Sequence, residues 1–186
     1  YLSGLLRNAG AEVALQEVQP GRPNVLGFFR FGPGPVLMLN AHTDTVPITP
    51  GTQRDLLRAS EENGRLYGRG ACDDKGPLIA MLAACRLAAA RHEAGRPLAG
   101  TVLFAGVMGE ESGGEGTRHL ATHGPRPDAA IVGEPTELAP VLGHKGSYRK
   151  RFVFQTVLFD PLARRALAIA DDRTALSAIT LLSQTP

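Results

Sequence analysis

Apolar residues in this chain come in short runs, and the spacing within each run names an element. From Tyr1 to Ala9 they fall three and four apart, the pattern of an amphipathic helix, and Gly10 follows where a C-terminal cap belongs. Ala11 to Val18 alternates as a strand does. Asn24 to Phe31 reads as a second strand, and Gly32 to Pro35 makes the turn after it. Pro35 to Ala41 (PVLMLNA) is apolar without alternation, which suits a central strand buried on both faces. That run stops abruptly at His42-Thr43-Asp44-Thr45-Val46-Pro47, and Pro50 to Asn63 is polar and reads as a loop. The apolar stretch Pro77 to Ala90 predicts a buried helix running from about Asp74 to His92.

Gly100 to Val107 (GTVLFAGV) is another buried strand, ending at Gly109-Glu110-Glu111. Ser112 to Glu115 has the form of a capping box, so a helix is expected to start there and reach about His123. Asp128 to Val132 is a short strand that ends at Gly133-Glu134-Pro135. Past Gly146 the pattern weakens: Ser147 to Phe159 reads as extended and Leu162 to Ser183 as helical, interrupted at Asp171-Asp172-Arg173. Strands alternating with helices argue for an α/β domain whose mainly parallel sheet is flanked by helices.

Composition narrows the function less than the pattern does. The 186 residues suffice for one domain with a core, or one domain and part of another. A formal charge of +2 gives no case for nucleic acid, and Arg149, Lys150 and Arg151, the tightest basic cluster, read as a solvated strand edge. Two cysteines, Cys72 and Cys85, are too few for a disulfide framework; Cys85 falls in the apolar helix, and Cys72 beside acids is a poor thiolate. No apolar run is long enough to span a bilayer and no signal peptide is visible, so a cytoplasmic protein without membrane contact is the expectation. The chain begins at Tyr1, in what reads as mid-helix, and is expected to be a fragment incomplete at both ends.

The candidate chemistry centres on Leu66 to Gly76 (LYGRGACDDKG), which places Asp73 and Asp74 in a glycine-rich loop at the mouth of the apolar helix. Two adjacent carboxylates there are costly unless positive charge meets them, and a metal ion supplies more of it than a helix terminus does. Three apolar strands each end in a further candidate ligand: His42, the Glu110-Glu111 pair, and Glu134. In open α/β sheets the crevice at the carboxyl ends of the strands is where ligands bind. Taken singly, each residue also has a structural explanation as a cap, a turn or a complement to a helix dipole. Their shared placement argues for a metal. One imidazole with several carboxylates suits Zn²⁺, Co²⁺ or Mn²⁺ better than Ca²⁺. Asp44 is placed to bond the ring nitrogen of His42 that faces away from the metal, and one of Glu110 and Glu111 is free to act as general base. His92, His119 and His123 read as surface residues, and His144 as a loop residue.

These residues resemble the M20 family of metallopeptidases and deacylases. The matching stretches are LNAHTDTVP (Leu39 to Pro47), LYGRGACDDKGPLIAML (Leu66 to Leu82), VMGEESGGEGTRHL (Val107 to Leu120) and IVGEPTEL (Ile131 to Leu138), with GHKGSYR (Gly143 to Arg149) looser. The resemblance covers roughly Tyr1 to Lys150 and implies a catalytic domain holding two zinc ions. It makes Asp73 the bridging ligand, with His42 and Glu134 on one ion and Glu111 on the other. It makes Glu110 the general base and Asp44 the residue that orients His42, and it implies a cis peptide between Asp73 and Asp74. Glu134 matches the deacetylase and desuccinylase branches. Residues 1–146 then form the catalytic domain, and 147–186 the start of a lid or dimerisation domain, or a divergent tail.

The implied activity is removal of an acyl group from an N-acyl amino acid by a metal-activated water. A dipeptidase or carboxypeptidase of the same family is the alternative, with a homodimer expected of the full-length parent. In the family the second zinc takes a histidine from a segment beyond the lid, and no histidine follows His144 here. At most one well-bound metal and little hydrolysis are therefore expected of this chain, and a non-catalytic or inactive fragment stands as the reading from a different class.

Overall fold

The structure, a computed structural model, describes residues 1–49, 51–52 and 54–143. Helix α1 (Leu2–Asn8) leads into strands β1 (Glu12–Gln19) and β2 (Arg22–Arg30), followed by β3 (Val36–His42). A small hairpin, β4 (Ser60–Glu62) and β5 (Arg65–Tyr67), precedes the long helix α2 (Lys75–Glu93). Strand β6 (Thr101–Val107), helix α3 (Glu115–His123) and strand β7 (Ala129–Val132) complete the described elements of the unit Tyr1–Val141.

The helix and strand boundaries follow from local chemistry. Helix α1 stops because Gly10 turns the chain: its N–H reaches the carbonyl of Arg7, and the N–H of Ala11 reaches that of Leu6. The main sheet has the order β1-β2-β6-β3-β7. β1 pairs antiparallel with β2 and β2 with β6, whereas β6, β3 and β7 run parallel. The sheet is thus mixed, with β2 alone reversed. The continuous apolar runs at β3 and β6 occupy its middle, as a strand covered on both faces requires.

Alternation along β6 separates two cores. Phe104 faces α1 and α2 and packs with Leu6, Phe29, Leu39, Leu78, Leu82 and Cys85. Leu103, Ala105 and Val107 face the other way and pack with Leu26 and with Leu120 of α3. No described helix is long and apolar enough to cross a membrane.

Two expectations are corrected. The polar stretch Pro50 to Asn63 is not wholly a loop, since Ser60–Glu62 pairs with Arg65–Tyr67. Asn63 and Gly64 take φ of 52° and 70°, the doubly left-handed pair that a two-residue hairpin turn of this hand needs, and Asn-Gly was the available signal. The capping box at Ser112 to Glu115 does not form. Gly114 is the N-cap of α3, and the Ser112 oxygen accepts no helix N–H; its hydroxyl faces the Glu115 carboxylate at 3.3 Å and the Gly109 carbonyl at 3.4 Å, both acceptors. The start of the helix is displaced because the N–H groups of Gly113 and Gly114 fold back onto the carbonyl of Gly109. The strand and helix read after Gly146, with the boundary at 146, lie outside the described residues.

A buried Asn24 ties this turn to the sheet. It is 0% exposed, accepts from the N–H of Met108 at 3.0 Å and donates to the carbonyl of Gly116 at 2.9 Å. A Cβ on Gly116 would lie 2.3 Å from the Met108 carbonyl, so glycine is required for this approach. Asn24→Ala leaves the donor and acceptor buried and unpaired, and is expected to cost about 2–5 kcal/mol, measured by denaturant unfolding.

Candidate metal centre

The carboxyl ends of β6, β3 and β7 lie side by side, because the three strands are adjacent and parallel. His42 closes β3, Glu110 and Glu111 follow β6 after a two-residue turn, and Glu134 follows β7 after Gly133. Helix α2 brings Asp73 and Asp74 to the same edge, with a cis peptide between them. Donor atoms of His42, Asp73 and Glu134 all lie within 4.8 Å of one another, and so do those of His42, Glu110 and Glu111. Bonds of about 2 Å to a shared zinc-sized ion can span such groups. Neither cysteine joins them among the described residues. Cys85 is buried, and burial pushes its thiol up to about 11.

His42 is the most constrained member. Its ring is 2% exposed; Nδ1 donates to the main-chain carbonyl of Asp44 at 2.9 Å, and Nε2 faces the Asp73 carboxylate at 2.7 Å. A carbonyl can only accept, so Nδ1 carries a proton. Burial pulls the ring's pKa down. The hydrogen bond to Asp73, the charges of Asp74 and Asp73 and the Asp44 carbonyl outweigh it, so the pKa lies above the ordinary 6.5. A cation held by this ring would leave Nδ1–H on the carbonyl.

Asp74 has a task that sequence reasoning missed. It is the N-cap residue of α2, yet its side chain makes no cap bond. Instead Oδ2 accepts the backbone N–H of His42 at 2.9 Å, which fixes the end of β3 to the start of α2. Oδ1 is buried and has no hydrogen-bond partner. Burial, with the charges of Asp73 and Glu110, raises its carboxyl to about 6 against the pull of His42. Glu134, though largely exposed, is raised to about 7, by loss of solvent and then by Asp74, Asp73 and Glu110, with His42 opposing. Crowded carboxylates of high proton affinity, one imidazole and an orphaned buried oxygen fit a divalent cation.

All three shifts are upward, which sets the sign of the pH dependence. Between the unfolded values of the acids, 3.8 and 4.5, and their folded values near 6 and 7, the fold binds more protons than the unfolded chain. The His42 contribution is present below 6.5 and is lost as pH rises through its folded pKa. The metal-free chain is therefore expected to lose site-derived stability from about pH 4 to above pH 6.5, with Asp74 alone worth up to about 3 kcal/mol. Melting curves at pH 5 and pH 8 check this: saturating zinc should remove the difference, and Asp74→Asn should reduce it.

Asp44 sits between the two candidate groups. Its carboxylate lies 3.6 Å from His42 Nδ1, farther than its own main-chain carbonyl. The two carboxylate oxygens accept the backbone N–H groups of Glu110 and Glu111, each at 3.1 Å. His92, expected at the surface, is half-buried, with its ring against Phe31 and Nδ1 accepting the N–H of Leu98. His119 and His123 stack on each other at the end of α3, and His144 lies outside the described residues.

The chain is similar to known proteins in sequence and in fold. The sequence profile of peptidase family M20/M25/M40 matches residues 38–180. The acetylornithine deacetylase of Edwardsiella ictaluri is 38% identical over 149 residues, covering 78% of this chain and 37% of that protein. The chain therefore spans little more than a third of that relative's length. Among solved structures, the M20 family metallo-carboxypeptidase Sso-CP2 of Sulfolobus solfataricus superposes with a TM-score of 0.61 at 27% identity, over 72% of this chain and 31% of that one. Human carnosine dipeptidase 1 shares the fold with a TM-score of 0.58 at 24% identity, over 72% of this chain and 31% of that one.

Proposed function

Because the chain belongs to peptidase family M20/M25/M40, we propose that its crevice is the zinc-binding centre of an amidohydrolase that removes the acyl group from an N-acylated amino acid. The observation that carries this reading is the convergence of His42, Asp73 and Glu134 at adjacent strand ends, beside a second group containing Glu110 and Glu111. The identity with a deacetylase supports acyl-group removal. The likeness to a carboxypeptidase above 25% identity supports a second reading, cleavage of short peptides by the same centre.

His42, Asp73 and Glu134 would hold the cation, and Glu111 would serve a second, adjoining position. Zinc, or Co²⁺ or Mn²⁺ in its place, supplies Lewis acidity toward an amide carbonyl and lowers the pKa of water toward about 7. Glu110 is the general base: it takes a proton as the water oxygen bonds to the carbonyl carbon, and returns it to the amine nitrogen as the C–N bond breaks. A carboxylic acid and a free amine leave. The backbone bond from His42 to Asp74 keeps the imidazole in place through both transfers.

Calorimetric titration with zinc, followed by amine-release assays on N-acetylated amino acids and on dipeptides, tests the proposal. The expected result is about one tight zinc per chain and, in the complete natural protein, faster release from the acylated amino acids. Absence of zinc binding, or turnover of neither substrate class, overturns it.

A further inference from the structure

We infer that the Asp44 carboxylate is the clamp that positions Glu110 and Glu111, and that the imidazole of His42 is set by the main chain of Asp44 and not by its side chain. The inference rests on Glu110 being the base proposed above.

Four distances carry it. His42 Nδ1 is 2.9 Å from the Asp44 carbonyl and 3.6 Å from the nearer carboxylate oxygen, so the carbonyl is the hydrogen-bond partner. A backbone carbonyl fixes the tautomer of a ligating histidine as well as a carboxylate does. The carboxylate is thereby freed for other work. Its Oδ1 accepts from the N–H of Glu110 and its Oδ2 from the N–H of Glu111, both at 3.1 Å, across a sequence separation of 66 and 67 residues. Two successive backbone N–H groups aimed at one anion form a cradle for it.

The turn that presents these N–H groups has its own supports on the far side. Met108 is held by Asn24, and the N–H groups of Gly113 and Gly114 return to the carbonyl of Gly109. The Asp44 carboxylate supplies the restraint from the side of the crevice. Without it the N–H groups of Glu110 and Glu111 lose that anchor, while the Glu110 carbonyl keeps the N–H of Gly113, and the direction of the base's side chain is set less tightly. Asp44 is therefore a positioning residue that joins the ligand strand to the base turn.

The two tasks are separable by mutation. Asp44→Asn keeps the main-chain carbonyl for His42 but replaces one accepting oxygen by an NH₂ that opposes an N–H. Amide hydrogen exchange of Glu110 and Glu111, read by NMR in the 186-residue chain with and without zinc, is the test. In the unsubstituted chain both amides should be protected at least tenfold more than the amides of exposed loops. In Asp44→Asn they should exchange at least tenfold faster, with the amides of β6 unchanged and zinc affinity within about twofold. Unprotected amides in the unsubstituted chain overturn the clamp, even if the variant fails to fold. Unchanged exchange in the variant, or a loss of zinc affinity above tenfold, returns the carboxylate to the role of orienting His42. A chain that binds no zinc but shows the protection pattern refutes the proposed function and leaves the clamp standing.

Discussion

Asp73→Ala is expected to abolish tight zinc binding by this chain. The Asp73 carboxylate lies 2.7 Å from His42 Nε2 and completes the group with Glu134. In the proposed site it is the ligand on which the others converge, since His42 comes from a strand, Glu134 from a loop and Asp73 from the entrance to α2. Structural zinc sites with four ligands are worth roughly 10–16 kcal/mol, or about 2.5–4 kcal/mol per ligand. Removing one should weaken binding by about 10²–10³-fold, enough for the purified protein to lose the ion on dialysis. Zinc measured by mass spectrometry should fall from about one per chain to none, whereas Glu93→Ala, on the far end of the same helix, should leave it unchanged. Equal zinc in Asp73→Ala would mean that the carboxylates only complement the helix and the turns.

Glu110→Gln is expected to lower kcat of the complete natural protein by about 10²–10⁴-fold, the range that a positioned proton-transfer group supplies. Glutamine keeps the size of the side chain and the backbone N–H held by Asp44, and loses the ability to take a proton. Zinc content should stay the same. That second measurement matters, because Glu110 also stands in a candidate metal group with His42 and Glu111. Loss of zinc together with activity would move Glu110 from base to ligand and put Glu111 in its place.

Much of the framework was legible before any coordinates. Strand β3 and strand β6 announced themselves as unbroken apolar runs, and α2 as an apolar stretch too long for a strand. Placing His42, Glu110, Glu111 and Glu134 at strand ends and Asp73 at a helix entrance required nothing beyond that pattern and the rule that parallel strands present their carboxyl ends together. The hairpin at Asn63-Gly64 was read as a loop: the Asn-Gly pair signals its turn, but its flanking strands are three residues each and mostly polar, too short to show alternation. The capping box failed because Ser112 and Glu115 satisfy that motif in sequence while two intervening glycines let the turn close on Gly109 first.

What residue types determined, then, is the inventory: which elements exist, and which side chains at their ends can hold a cation or a proton. What the tertiary structure alone decided is how those ends are secured. Asp74 holds the N–H of His42 across 32 residues, Asp44 holds the N–H groups of Glu110 and Glu111 across 66 and 67, and Asn24 holds that of Met108 across 84. In every case the partner is a backbone N–H. Every residue but proline has that group, so it leaves no trace in the sequence pattern, and only the folded sheet brings it within reach of the carboxylate or amide that anchors it.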